Sequence, residues 1–199
     1  MKKVFIIIAF VAIIAFLAFT FIGTGEPNVE QPIASNLDLN TAEDLINFVD
    51  KMYEENKNLY GSLMTQAVDV ADNALVSSFT GLEDAKDVQF CIVSEPMMSS
   101  QAYSLVLVKV KEGVDVEKIA KTMNENINMR KWICVEAEKA YTTSSGDIVC
   151  LVMSSESMAK PVYTKFKELA GVIGQEYERS AEPIVLEDDM LQPDDVVVE

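Results

Sequence analysis

From position 88 to position 170 the chain alternates apolar runs, polar turns and helical periodicities in an order that occurs twice. QFCIVSEPMMSSQAYSLVLVKV, residues 89–110, is an apolar run with a Cys, a Ser-rich polar stretch and a second apolar run. WICVEAEKAYTTSSGDIVCLVM, residues 132–153, gives the same order again. Slid by 43 positions without gaps, Cys91 falls on Cys134, Val106 on Val149, Ile119 on Val162 and Met123 on Phe166. Each copy predicts a strand, a hairpin connection, a strand and a helix, with helices over 114–127 and 157–170. One hairpin with one helix cannot cover its own apolar face, whereas two copies build a sheet with a shared core. The predicted class is α+β, a duplicated strand-strand-helix unit (about 88–127 and 131–170). It forms a four-stranded, mostly antiparallel sheet with its helices on one face.

Upstream, Asn40 or Thr41 can cap a helix, Glu43 and Asp44 suit its positive end, and Leu45, Val49 and Met52 recur on one side. A second helix is predicted over 62–76, with Leu63, Ala67, Ala71 and Leu75 inward and Asp69 and Asp72 outward. SFTGLEDAKD then breaks the pattern before the first strand. The folded domain is expected over 41–174. The last residues, 175–199, are expected to be a flexible acidic tail, because EPIVLEDDMLQPDDVVVE carries seven acids and no base.

Lys2 and Lys3 precede VFIIIAFVAIIAFLAFTFI, residues 4–22, a run without a charge. At about 1.5 Å per residue it spans roughly 28 Å, close to the hydrocarbon thickness of a bilayer. It predicts an uncleaved signal anchor over 1–22, with the N-terminus in the cytoplasm and the domain outside; cleavage near Gly23–Gly25 is the rival. GTGEPNVEQPIASNLDLN, 23–40, reads as a flexible tether.

Composition narrows the partners. The chain has 199 residues and a net charge of −16, from 32 acids against 16 bases. A surface this acidic repels phosphate backbones, which excludes nucleic-acid binding through a basic footprint and favours neutral or basic partners. The absence of histidine removes the commonest general base and metal ligand. No cofactor or metal is expected.

Cys91, Cys134 and Cys150 all fall in predicted strands. Buried packing suits all three, and a Cys91–Cys134 disulfide is permitted outside the cell because the two sit at equivalent places in the repeat. SMAK, with Ser157 and Lys160, matches the S-x-x-K pattern of serine hydrolases, but its partner motifs are missing and Ser157 serves equally as a helix cap. The acids around Asp188 and Asp189 lack a calcium-loop pattern and read as a solvated tail open to basic partners. The hairpin connections place Met97, Met98 and Tyr103 in one tip and Tyr141 in the other. Exposed Met and Tyr suit adaptable recognition, and they can equally fold back onto the sheet.

TGLEDAKDVQFCIV, AYSLVLVKVKEGVDVEKIAKTM and GDIVCLVMSS, within 59–171, resemble an uncharacterised family, a domain of unknown function found in extracytoplasmic proteins and lipoproteins of Gram-positive gut bacteria. The resemblance implies an extracytoplasmic address, with the protein anchor replacing the lipid-modified Cys of other members. It implies no catalytic residues. The function expected is a membrane-anchored interaction or accessory domain binding a protein or cell-envelope component. The alternatives are small-ligand sensing and an envelope serine hydrolase using Ser157 and Lys160.

Overall fold

A computed structural model describes residues 37–55, 60–97 and 101–182. The predicted signal anchor and most of the tether lie outside the described residues; among those described, no helix is long and apolar enough to cross a membrane. Helix α1 (Ala42–Tyr53) opens on a capping box. The Thr41 hydroxyl accepts from the Asp44 amide at 3.1 Å, and the Asp44 carboxylate accepts from the Thr41 amide at 2.9 Å. Leu45, Val49 and Met52 are buried as their spacing requires.

The helix predicted over 62–76 is instead strand β1 (Leu63–Ala67), a turn, and helix α2 (Asn73–Thr80). Two aspartates make the break. Asp69 accepts from the Ala71 amide at 2.9 Å, and Asp72 caps α2 by accepting from the Leu75 amide at 2.9 Å. Strands β2 (Val88–Pro96) and β3 (Ser104–Val110), helix α3 (Val116–Asn126), strands β4 (Lys139–Ser145) and β5 (Ile148–Ser154), helix α4 (Glu156–Ala170) and strand β6 (Tyr177–Ser180) follow.

The sheet has six strands, not four, in the order β1-β2-β3-β5-β4-β6 with every pairing antiparallel. The two repeat helices, expected on one face, lie on opposite faces, α3 beside α2 and α4 beside α1. Val76, Ile119 and Met123 of α2 and α3 pack against Val106, Val108, Val149 and Leu151. Phe48 of α1 and Val162 and Phe166 of α4 pack against Leu105, Leu107, Cys150 and Val152 on the opposite side. The reason lies in β3 and β5, which are buried at every position. Two central strands apolar on both faces need two covering layers.

The copies also do not superpose without gaps. Val106 pairs with Val93 and Val149 with Ser144, so the second strands match at a spacing of 43 and the first strands at 51. The connection over 97–103 is replaced in the second copy by the tight turn at Gly146 and Asp147. Cys134 consequently leaves the sheet and is exposed, while Cys91 is buried in β2; both are free thiols, and no disulfide joins them.

Residues 175–182, expected to belong to the flexible tail, instead carry strand β6, and the rest of the predicted tail lies outside the described residues. Gly174 donates to the Ser144 carbonyl at 2.9 Å, and the Ser145 hydroxyl donates to the Val172 carbonyl at 2.6 Å. These bonds lead the chain into β6, where the Arg179 guanidinium donates to the carbonyls of Glu125 and Ile127 at the end of α3.

Candidate interaction surface

An antiparallel sheet ends in two edges whose outward amides and carbonyls are free to pair, and the sequence of each edge strand decides whether that pairing is discouraged. β6 is discouraged: its four residues, YERS, carry Glu178 and Arg179, with Glu178 ion-paired to Lys139 at 2.5 Å. β1, LMTQA, has no charge and no proline.

The register fixes which groups β1 presents. Met97 donates to the Ser62 carbonyl at 3.3 Å and Val68 to the Cys91 carbonyl at 2.8 Å. Pairs 62–97 and 68–91 therefore bracket the strand as hydrogen-bonded pairs, and the even-numbered residues turn their backbone groups toward β2. Leu63, Thr65 and Ala67 turn theirs outward, where no described residue pairs with them.

The two sides of this edge differ. On the α1 side lies a cavity of about 420 Å³ lined by Asp50, Tyr53, Tyr60, Gly61, Leu63 and Thr65. Its inner wall is a tyrosine cluster, with the Tyr53 and Tyr60 rings 5.2 Å apart and Tyr60 and Tyr103 4.9 Å apart. The Tyr53 and Tyr103 hydroxyls share a hydrogen bond of 2.9 Å, Tyr60 donates to the Met158 carbonyl at 2.9 Å, and Thr65 donates to Ser94 at 2.9 Å. Burial pushes Tyr60 up to about 12 and Tyr53 and Tyr103 above their usual range, so these hydroxyls stay neutral. Among the described residues, Asp50 is the sole charge in the lining, and none of their ion pairs includes it.

On the α2 side, Met64 stands opposite Glu95 in the register and is 47% exposed. Glu95 forms an ion pair with Lys131, whose ammonium also donates to Ser104 at 3.2 Å and lies 4.8 Å from the Phe79 ring centre and 5.3 Å from that of Trp132. Burial holds the Lys131 ammonium below its ordinary range, with Glu95 drawing it back. Beside Trp132 in the chain, Ile133 is 92% exposed. Met64 thus puts an exposed apolar side chain on the edge strand itself.

Of the residues singled out from sequence, Met97 stands on this surface, 70% exposed and next to the β1 edge. Tyr103 is not at an exposed tip: it is fully buried in the tyrosine cluster behind the cavity. Tyr141 is likewise buried, stacked on Tyr163 with ring centres 5.2 Å apart, because KAYTTSS is strand β4 rather than a turn. Met98, Asp188 and Asp189 lie outside the described residues. Ser157 and Lys160 form no dyad. The Ser157 hydroxyl meets that of Ser155 at 3.2 Å, Lys160 donates to Glu156 at 3.0 Å, and the cap position of α4 belongs to Ser155. Asp50, Tyr53, Tyr60, Thr65 and Lys131 were not singled out from sequence. The signal available for Thr65 was LMTQA itself, a short uncharged run between Gly61 and Asp69; the other four gave none. No family model, curated protein or solved structure matches this chain.

Proposed function

We propose that this protein is a membrane-anchored, extracytoplasmic interaction domain that binds an extended segment of a partner protein by adding it as a strand to the edge of β1. The observation that carries this reading is the open, uncharged edge of β1, with a cavity on one side and exposed Met64 and Met97 on the other. Strand addition draws affinity from main-chain hydrogen bonds and specificity from pockets that take alternate side chains, and β1 supplies both elements. The anchored, outward placement rests on the apolar run at 4–22 behind Lys2 and Lys3, and the resemblance noted for 59–171 agrees with it.

The test is a random peptide display library selected against the full-length protein, followed by Ala67→Pro. The Ala67 amide points away from β2, so proline there removes an outward donor and keeps the ladder. The expected outcome is selected peptides whose affinity falls at least about tenfold in Ala67→Pro while its circular dichroism is unchanged. Peptides indifferent to the substitution would refute strand addition.

A further inference from the structure

A strand laid against β1 sends every second side chain to the α1 side, because residues facing each other across a pair share a face of the sheet. The residue opposite Leu63 or Thr65 thus projects toward the cavity they line. Among the described residues, its lining brings the Asp50 carboxylate, two tyrosines and a threonine, and no basic side chain. Asp50 is exposed and, like Glu43 and Glu54 near it in the chain, has no lysine partner among the described residues; what sets it apart is its place in the cavity wall beside the β1 edge. The chain as a whole carries −16.

We propose that the cavity between α1 and β1 is a specificity pocket for a basic side chain, the lysine ammonium or arginine guanidinium of the strand added to β1. The chemistry is complementary at each point. A cation brings only donors, and Asp50 offers acceptor oxygens that no described residue engages in an ion pair. The Thr65 hydroxyl, already donating to Ser94, keeps lone pairs for an incoming donor. The aliphatic stem of a lysine or arginine lies along Leu63 and the tyrosine rings while its charged end reaches Asp50. An acidic side chain would meet Asp50 at close range where no described residue supplies a counter-charge, and a large apolar one would bury the carboxylate unpaired.

This inference rests on strand addition at β1, and one experiment separates the two. Two capped peptides of alternating threonine and valine, one with a central lysine and one with norleucine there, are titrated into the full-length protein, its Asp50→Asn variant and Ala67→Pro. The expected result is at least about tenfold tighter binding of the lysine peptide to the parent protein, weakening as salt rises. Asp50→Asn should abolish that difference without weakening the norleucine peptide, and Ala67→Pro should weaken both. Equal binding of the two peptides to the parent protein overturns the basic pocket and leaves strand addition standing. Binding of neither peptide overturns strand addition, and the pocket with it. An advantage for lysine that survives Asp50→Asn overturns the role assigned to that carboxylate.

Discussion

Lys131 and Glu95 show how a charged residue is kept inside an otherwise apolar layer. The lysine side chain is 15% exposed and the glutamate 25%, between Phe79 and Trp132. Removing one partner strands the other in surroundings that resist charge, which costs more than the pair itself contributes. Glu95→Leu alone should therefore lower stability by about 2–3 kcal/mol, whereas Glu95→Leu with Lys131→Met should recover most of the loss. Urea titrations of the single and double variants check this; strictly additive losses would show that the two side chains are not coupled.

Elements here are held in place by backbone geometry that only particular residues allow. Gly81 ends α2 with φ +75°, and a Cβ at that position would lie 2.5 Å from the Ile127 nitrogen and 2.7 Å from the Asn126 carbonyl carbon. Backbone cannot yield as a flexible side chain can, so α2 and the end of α3 approach at a distance only glycine permits. Gly113 has a similar φ of +80° with nothing within 4 Å of a Cβ. Gly113→Ala should cost only the conformational penalty of about 1 kcal/mol, and Gly81→Ala distinctly more, about 3 kcal/mol or above. Thermal melts of the two variants compare them directly, and equal losses would mean that the Gly81 contact relaxes freely. At this scale the sequence was only partly legible. A cap for α1 at Asn40 or Thr41 and the apolar face of Leu45, Val49 and Met52 were readable because they are local; the structure gives the cap to Thr41. β1 and β6 were not, since strands of five and four residues exist through pairing with β2 and β4, which lie far from them in sequence.

For the whole molecule, the groups whose protonation folding constrains lie mainly at the alkaline end. Burial raises Cys91 and Tyr60 to about 12, from ordinary values of 9.0 and 10.0, and raises Tyr53 and Tyr103 as well. A group raised on folding stabilises fully below its unfolded pKa, and that stability is lost as pH climbs toward the folded value. The window therefore runs from about pH 9 to 12, each group contributing about 1.4 kcal/mol per pH unit once its unfolded form has ionised. Lys131 and Arg179, lowered by burial, act in the opposite sense but are outnumbered by the raised cysteines and tyrosines, which include Cys150 and Tyr163 as well. With no histidine to titrate, the melting temperature should stay level between about pH 6 and 8 and fall steeply above about pH 9. A melting temperature level to pH 11 would contradict the buried state of these side chains.

The division between sequence and tertiary structure follows from range. The sequence by itself determined what depends on neighbours a few residues apart: the α+β class, α1 with its N-terminal cap, the paired apolar runs of β3 and β5, and helices α3 and α4 near their predicted spans. It also held a clue left unread, for SLVLVKV and IVCLVMS are continuous rather than alternating, the pattern of strands covered on both sides. Tertiary structure decided the rest. It set the layers on both faces, moved Cys134 off the sheet by shortening one hairpin, and took Tyr103 and Tyr141 inside. It also brought Asp50, Tyr53 and Tyr60 of one segment against Leu63 and Thr65 of an open edge. Such a site is made by long-range pairing and by the angle at which a helix crosses a sheet, and neither quantity is written in the spacing of residues along a chain.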